Sequence, residues 1–301
     1  MRRQKQQRSR SRRESPQSGT QASGASAASV NALCISQGID LNTNLGEGFG
    51  SYKMPGESDL LPYVTSANIA CGAHAGDPLV METALEELRY YGLSLGAHIG
   101  YPDLAGFGRR EIHLSSAELR ASVLFQIGAL SGLAKTMGFE ITQVRPHGFL
   151  YRQMSNDVRI ATVVAKAVAE YDRWLVLIGA VGPVLLTAGE RAGIRVAGEA
   201  WVDRTYDTNG SLLPHSHSRA VLKSPREIIN QAQSLISRRE VVAADGSRVS
   251  IDFQTLHLHA GMPNAKEIAE TIRTMIPDAC ALTSEPFNLG PVEEPGLAYS
   301  F

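Results

Sequence analysis

Cysteine is scarce in this chain, aromatic residues are few, and no apolar run is long. Its 301 residues include three cysteines, Cys34, Cys71 and Cys280, an odd number spread far apart. That excludes a disulfide framework and a Cys-based zinc site, and it points to a reducing compartment, so a cytoplasmic location is expected. The longest apolar stretch, Trp174 to Ala188, is interrupted by Gly179, Gly182 and Pro183 and is too short to span a bilayer. The start of the chain has no apolar segment of the secretory type. A GxGxxG turn is missing, which argues against a Rossmann domain, and so is the GxxxxGK[ST] loop of the common nucleotide sites. HExxH is missing as well, so no helix carries a ready-made pair of metal-binding imidazoles.

The composition is that of an ordinary globular chain, with 43% apolar and 20% charged residues. The net charge of −1 hides an asymmetry. Residues 1–30 hold seven Lys or Arg and one Glu, which leaves 22 basic against 29 acidic residues, or −7, for the rest. An acidic body has no general reason to bind nucleic acid. The first thirty residues, rich in Arg, Ser, Gln and Gly, have almost nothing to bury and are expected to form a disordered basic tail.

From Ala32 onward, short apolar runs alternate with segments of helical spacing. Strands are expected at about Cys34–Leu41, Ala67–Ala70, Leu93–Leu95, Ile141–Val144, Trp174–Ile178, Ile194–Ala200 and Thr255–Leu258. Helices are expected over Leu79–Tyr91, from the Ser115 cap to Met137, from an Asn156 or Asp157 cap to Tyr171, over Pro183–Ala192, from Pro225, and over Asn264–Met275. A short helix around Asp59–Val64 and a hairpin with a primed turn at Asp245-Gly246 complete the pattern. Seven βα units argue for a parallel sheet. We read an α/β fold, a seven-stranded parallel β/α barrel over residues 31–277, with 278–301 as an extended C-terminal tail lying loosely on the surface. A doubly wound open sheet is the alternative.

One short repeat carries the functional signal. Gly72-Ala73-His74-Ala75-Gly76-Asp77-Pro78 is followed by Gly96-Ala97-His98-Ile99-Gly100-Tyr101-Pro102. Each copy ends an apolar run, so both imidazoles should stand on the face formed by the loops after the strands. Other strand ends add Asp40, Asn42, Asn44 and Glu47, then Asp103, Arg145 and His147, Asp203 and Arg204, and His259. Ionisable groups gathered at one end of a barrel belong to a reaction site rather than a core. Two chemistries fit. Asp40 with His74 and His98 would form a carboxylate-and-imidazole set for a divalent metal. Alternatively Asp and His would act without metal as general base and acid, with Arg145 and Arg204 holding an anionic substrate. His113, His215 and His217 fall in polar loops, and Cys71 reads as a buried thiol. The absence of a compact ligand motif favours the metal-free route.

Taken together, several motifs are specific. Asp40-Leu41-Asn42-x-x-Leu45-Gly46-Glu47, the two His segments, Gly106-Phe107-Gly108-Arg109-Arg110, Gln126-Ile127-Gly128-Ala129-Leu130, Pro146-His147-Gly148-x-Leu150-Tyr151 and Asp203-Arg204 occur in one order over about residues 38–275. In this the chain resembles the LamB/YcsF family, the 5-oxoprolinase A-component or lactam-utilisation proteins. The resemblance implies a barrel of the glycoside hydrolase/deacetylase type and ATP-dependent opening of 5-oxo-L-proline, or a related lactam, to L-glutamate. It further implies ATP as cosubstrate of a complex with subunits B and C. By the same resemblance Asp40, Glu47, His74, His98 and His147 are the catalytic candidates, and Asn42, Asn68, Asp77, Arg145 and Arg204 the substrate-binding ones. The chain departs from the family at Asn44 for Asp, Arg145 for Lys, His215 for Arg, and His259-Ala260-Gly261 for His-Gly-Asp. Those departures keep two other readings open: a weakened paralogue that binds a lactam or a partner, and a metal-dependent deacetylase-like hydrolase.

The tail supplies a first prediction. Removing residues 1–30 should leave the melting temperature nearly unchanged, because that segment offers no apolar groups to a core. A calorimetric scan showing a loss of many degrees would refute it.

Overall fold

The computed structural model describes residues 38–282. The strands are β1 (Asp40–Leu45), β2 (Ser66–Ala70), β3 (Ser94–Ile99), β4 (Ile141–Pro146), β5 (Val176–Ala180), β6 (Arg195–Trp201), β7 (Glu240–Val242), β8 (Arg248–Ser250) and β9 (Thr255–His257). The helices are α1 (Pro78–Tyr91), α2 (Ser116–Thr136), α3 (Gly148–Asn156), α4 (Val158–Tyr171), α5 (Pro183–Ala192), α6 (Pro225–Arg238) and α7 (Ala265–Met275), with a 3₁₀ turn at Ser58–Tyr63. Strands β1 to β6 pair in order and in parallel, and β9 pairs with both β6 and β1. That last strand closes the barrel and excludes the open sheet. β7 and β8 form a separate antiparallel hairpin.

Local sequence sets most element ends. Asp77 caps α1 by accepting from Leu79 N and Val80 N, Pro78 opens it, and Gly92 ends it at φ 67°. Ser115 and Glu118 form a reciprocal capping box on α2. The outward residues of the strands (Leu41, Ala67, Ile69, Leu95, Ala97, Val144, Leu177, Val196 and Leu256) pack with the helices in one apolar shell.

Four readings need correction. The first strand begins at Asp40 rather than ending just after it, because its inward residues Asp40, Asn42 and Asn44 are polar and so read as a loop. Helix α3 has no counterpart among the expected helices. It starts at Gly148, with φ 55°, and no side chain caps it, so the sequence carries no start signal there. In the hairpin, five residues separate β7 from β8 and only Gly246 has positive φ (90°), so the turn is not of the primed two-residue kind. The expected tail over 1–30, the Cys34 end of the first strand and positions 283–301 lie outside the described residues. Residues 278–282, however, do not lie loosely on the surface. Cys280 N donates to Ile39 O (3.3 Å), and Leu282 joins Val176, Ile178 and Ala197 at the lower end of the barrel.

The barrel interior is unusual in its polarity. β/α barrels commonly fill this space with branched apolar side chains. Here the inward residues of β1, β2, β4, β6 and β9 include Asp40, Asn42, Asn44, Ser66, Asn68, Gln143, Arg145, Glu199, Thr255 and His257, all buried. Burial on that scale is tolerable only when the groups satisfy one another. Asn42 does so fully: its amide donates to Glu199 Oε1 (3.1 Å) and Thr255 Oγ1 (2.6 Å), and its oxygen accepts from Asn68 (3.0 Å) and His257 Nδ1 (2.8 Å). Gln143 donates to Ser66 Oγ and Asn68 Oδ1, both at 3.1 Å.

Asp40 anchors the lower layer. Its carboxylate accepts from Thr65 (2.7 Å), Ser66 (2.9 Å) and Thr255. Burial nevertheless pushes its pKa from 3.8 up to about 6, against the lowering effect of those hydroxyls. A raised folded-state pKa means stability present below pH 4 and lost as pH rises through 6, here at most roughly 3 kcal/mol. The stability difference between the parent chain and Asp40→Asn should therefore change across pH 4–6 and be level above it. Urea midpoints for the pair at a series of pH values check this, and a difference independent of pH would contradict it.

Candidate active site

Four side chains converge at the mouth formed by the carboxyl ends of the strands. Glu47 follows β1, His74 lies in the loop after β2, His98 is the fifth residue of β3, and His147 follows β4. Glu47 Oε1 stands 3.3 Å from His98 Nε2, 3.3 Å from His147 Nδ1 and 3.7 Å from His74 Nε2. The His74 and His147 rings stack at 3.9 Å and nearly parallel, with His98 edge-on to both. All four are buried. The repeat that pointed to this site is not a structural repeat, however. His98 lies within its strand in register with Ala70, whereas His74 comes four residues later, in a loop that folds back.

The loops leave room for these rings only where there is no side chain. A Cβ on Gly100 would stand 2.6 Å from His74 Nδ1; one on Gly108, at φ 63°, would stand 2.8 Å from His74 Cβ and 2.9 Å from His147 Cδ2. Gln126 of α2 grips Gly100 on both sides, accepting from its N–H (2.8 Å) and donating to its carbonyl (2.9 Å). Asp103 ties the 103–110 loop by accepting from Gly106 N (2.9 Å) and the Arg110 guanidinium. At the crown of that loop Phe107 adopts φ 54°, a costly conformation for a bulky residue, and its carbonyl points at His147.

Those carbonyls fix the proton positions. His98 Nδ1 lies 3.0 Å from Arg145 O, and His147 Nε2 lies 2.8 Å from Phe107 O. A carbonyl only accepts, so each of these nitrogens carries hydrogen. Their other nitrogens, His98 Nε2 and His147 Nδ1, face each other at 3.0 Å beside Glu47. His74 has no hydrogen-bond partner at either nitrogen among the described residues. Burial holds His74 down at about pKa 4, and it drives His98 well below its usual value despite Glu47. Glu47 remains well below the usual carboxylate range: burial raises it, but His147, His74 and His98 outweigh that. A charged Glu47 beside neutral His74 and His98 presents the carboxylate and free imidazole nitrogens that a metal ion or a reacting water requires.

Beneath this cluster lies an ion pair. Arg145 forks onto Glu199 through Nε (2.6 Å) and Nη2 (2.8 Å), and its Nη1 donates to Asn44 Oδ1 (3.0 Å). Tyr151 and Trp201 stack on the same guanidinium at 5.5 and 5.1 Å. Asn44 passes the contact on, its amide donating to Glu47 Oε1 (3.3 Å). Arg145 is 2% exposed, so it braces the site from below rather than meeting a substrate carboxylate. Glu199 is absent from the sequence-derived candidates, although an acid between Gly198 and Ala200 inside a buried strand is itself a signal.

Other candidates lie apart from the cluster. Asp40 stands six register steps below His98, roughly 20 Å along the strand direction at about 3.3 Å per residue. It therefore belongs to neither the catalytic group nor a metal set with His74 and His98; Glu47 takes that place. Asn42 and Asn68 are saturated in the barrel floor, so neither is free for substrate. Asp77 caps α1 and accepts from Gly50 N (2.6 Å). Arg204 staples the 203–222 loop through Ala220 O (3.0 Å), Leu213 O (2.6 Å) and His215 Nε2 (2.9 Å). His257, the last residue of β9, is buried in the barrel, and His259 two residues on is half-buried beyond it. Cys71 is an inert thiol, pushed up by burial to about 12.

The family model for LamB/YcsF proteins matches residues 39–288. The chain belongs to the LamB/YcsF family. It is 43% identical over 238 residues to the A component of 5-oxoprolinase from Tolumonas auensis, covering 79% of this chain and 95% of that one. The corresponding protein of Bacillus subtilis is 42% identical, with 79% and 93% covered. The crystal structure of a lactam utilization protein from Thermus thermophilus superposes with a TM-score of 0.75 at 38% identity, covering 79% and 95% of the two chains. Among the described residues no helix is long and apolar enough to cross a membrane.

The ion pair generates a prediction. Arg145→Met strands the fully buried Glu199 carboxylate and should cost about 3–5 kcal/mol in denaturant unfolding. Arg145→Met with Glu199→Leu should cost clearly less than the single change. A single-variant cost below about 1 kcal/mol would show that the pair does not brace the barrel.

Proposed function

We propose that this chain is the lactam-opening component of an ATP-using 5-oxoprolinase, acting on 5-oxo-L-proline or a close relative. What carries the reading is the convergence of one carboxylate and three imidazoles at the strand ends, in a chain 43% identical to the A component of a 5-oxoprolinase. A five-membered lactam is an unactivated amide. Opening it breaks the ring C–N bond, adds the oxygen of one water to the carbonyl carbon and places a proton on the departing nitrogen. In this reading the Glu47 carboxylate and one of the imidazoles orient a water and receive its proton, and the imidazole so charged is the donor for the ring nitrogen. If the four groups hold a divalent cation, it supplies Lewis-acid polarisation and lowers the pKa of water.

The anionic end of the substrate needs a cation, and Arg145 is engaged in the floor. Arg109 suits the role. It sits on the covering loop, its guanidinium 5.1 Å from the Phe107 ring centre, and its charge is close enough to depress His74. ATP hydrolysis, which consumes a second water, and the subunits B and C that would couple it belong to the assembly in this reading.

The test is glutamate release from 5-oxo-L-proline and ATP by the full chain, with and without subunits B and C. Turnover is expected only with the partners. Glu47→Gln and His98→Gln should each lower it by about 10²–10⁴ while the melting temperature shows a folded chain. No glutamate under any combination removes the proposal, as does an unimpaired Glu47→Gln variant.

A further inference from the structure

We infer that Glu47, His74, His98 and His147 together bind one first-row divalent transition-metal ion. The inference rests on the lactam-opening reading for the ion's purpose, though not for its binding.

Spacing is the first argument. Two ligands each 2.0–2.1 Å from a tetrahedral zinc stand about 3.3 Å apart. The facing atoms here lie at 3.0 Å (His98 to His147), 3.3 Å and 3.3 Å (Glu47 to His98 and His147) and 3.7 Å (Glu47 to His74). All four ligand atoms fall within 4.8 Å of one another. Groups packed only against each other have no reason to present one atom apiece to a common point.

The proton positions give the second argument. Because Arg145 O and Phe107 O each claim a ring N–H, His98 Nε2 and His147 Nδ1 are the nitrogens left facing each other, 3.0 Å apart, and facing a carboxylate. Two basic nitrogens and a carboxylate oxygen gathered this closely are held together by something positive between them. A single proton could bridge one of these contacts; a cation at the centre meets all four. Backbone carbonyls on the far nitrogen are also the usual outer partners of metal-ligating histidines, since they fix ring orientation and tautomer.

His74 gives the third. It is 1% exposed, and neither nitrogen has a hydrogen-bond partner among the described residues. A buried imidazole without partners is costly. It is also held rigidly, stacked on His147 and packed under Gly100 and Gly108. Coordination would supply the missing partner.

The donor set narrows the ion. Three imidazoles and one carboxylate suit zinc, iron, cobalt, nickel or manganese, whereas magnesium and calcium prefer all-oxygen surroundings. The nearby thiol of Cys71 turns to Ile69 O (3.1 Å), so no sulfur joins the set. The lack of a compact ligand motif in the sequence does not tell against such an ion. The four ligands instead come from four separate strand ends, which no local spacing reveals.

The full chain, stripped by a chelator and verified by elemental analysis, would be titrated with Co²⁺, Zn²⁺ and Mn²⁺ in a calorimeter. At least one ion should bind at one per chain and raise the melting temperature, and bound Co²⁺ should show visible d–d bands shifted from those of the aqueous ion. His74→Gln and Glu47→Gln, each shown folded by near-ultraviolet circular dichroism, should weaken binding at least tenfold. If the folded parent chain takes up none of the three ions, the inference fails. Undiminished binding in both variants also overturns it, by placing the ion elsewhere. A chain that binds the ion but never yields glutamate supports this inference and sinks the functional proposal. Glutamate release by a chain that binds none does the reverse.

Discussion

The buried Arg145–Glu199 pair is the interaction on which the rest of the barrel depends. Once a guanidinium and a carboxylate occupy the interior, every neighbour must be polar enough to complete their hydrogen bonds and small enough to fit. Glu199 takes two bonds from Arg145 and one from Asn42, and Asn42 in turn binds Thr255, Asn68 and His257. Thr255 reaches Asp40 at the bottom. At the top Arg145 reaches Asn44, and Asn44 reaches Glu47. A continuous polar column therefore links the lower layer of the barrel to the cluster at its mouth. Apolar packing is displaced to the shell between strands and helices, where Leu41, Ile69, Leu95, Val144 and Leu177 lie.

That displacement explains what could be read from the sequence. Most helices are legible because their apolar faces and caps are local: Asp77-Pro78, Ser115 to Glu118 and Pro183 with Gly193 mark their ends without help from the fold. Strands β5 and β6 are legible because their runs are apolar. β1 is misplaced because its inward face, Asp40, Asn42 and Asn44, looks like a turn when burial is unknown. The repeat around His74 and His98 identifies the mouth correctly but suggests an equivalence the register does not support. Asp40 looks like a ligand because an acid near a strand end is a fair guess. Only the register shows which end of the strand it occupies.

Other parts of the site have no local signature at all. Phe107 contributes a backbone carbonyl held at positive φ, and nothing in its side chain announces that. Gln126 stands in the middle of a long helix, and its partner is the backbone of a loop twenty-six residues earlier. Both act on the histidines indirectly, one fixing a tautomer and the other a loop. The glycines around the histidines make sense in the same terms. Gly100 and Gly108 leave room for rings that come from other strands.

The positions at which the family resemblance implies departures act as a set. Considered one at a time, Asn44 offers no proton acceptor of the carboxylate kind and Arg145 is one cation where another would also carry charge. Considered as a pair, they complement each other. Arg145 gives two of its arms to Glu199, and the third donates to Asn44 Oδ1. That leaves the Asn44 amide free to donate to Glu47 Oε1, which a carboxylate at the same position could not do. An aspartate there would instead place a second negative charge beside Glu47, in a setting where like charges raise each other's pKa. Gly261 fits a similar account. A Cβ at that position would stand 2.7 Å from Cε1 of the His259 ring, so the ring fills the space a larger residue would need. The mouth is thus internally consistent as it stands: Glu47 keeps its charge, its orientation and its three imidazoles. This coherence favours a working site adjusted as a unit over one that has decayed residue by residue.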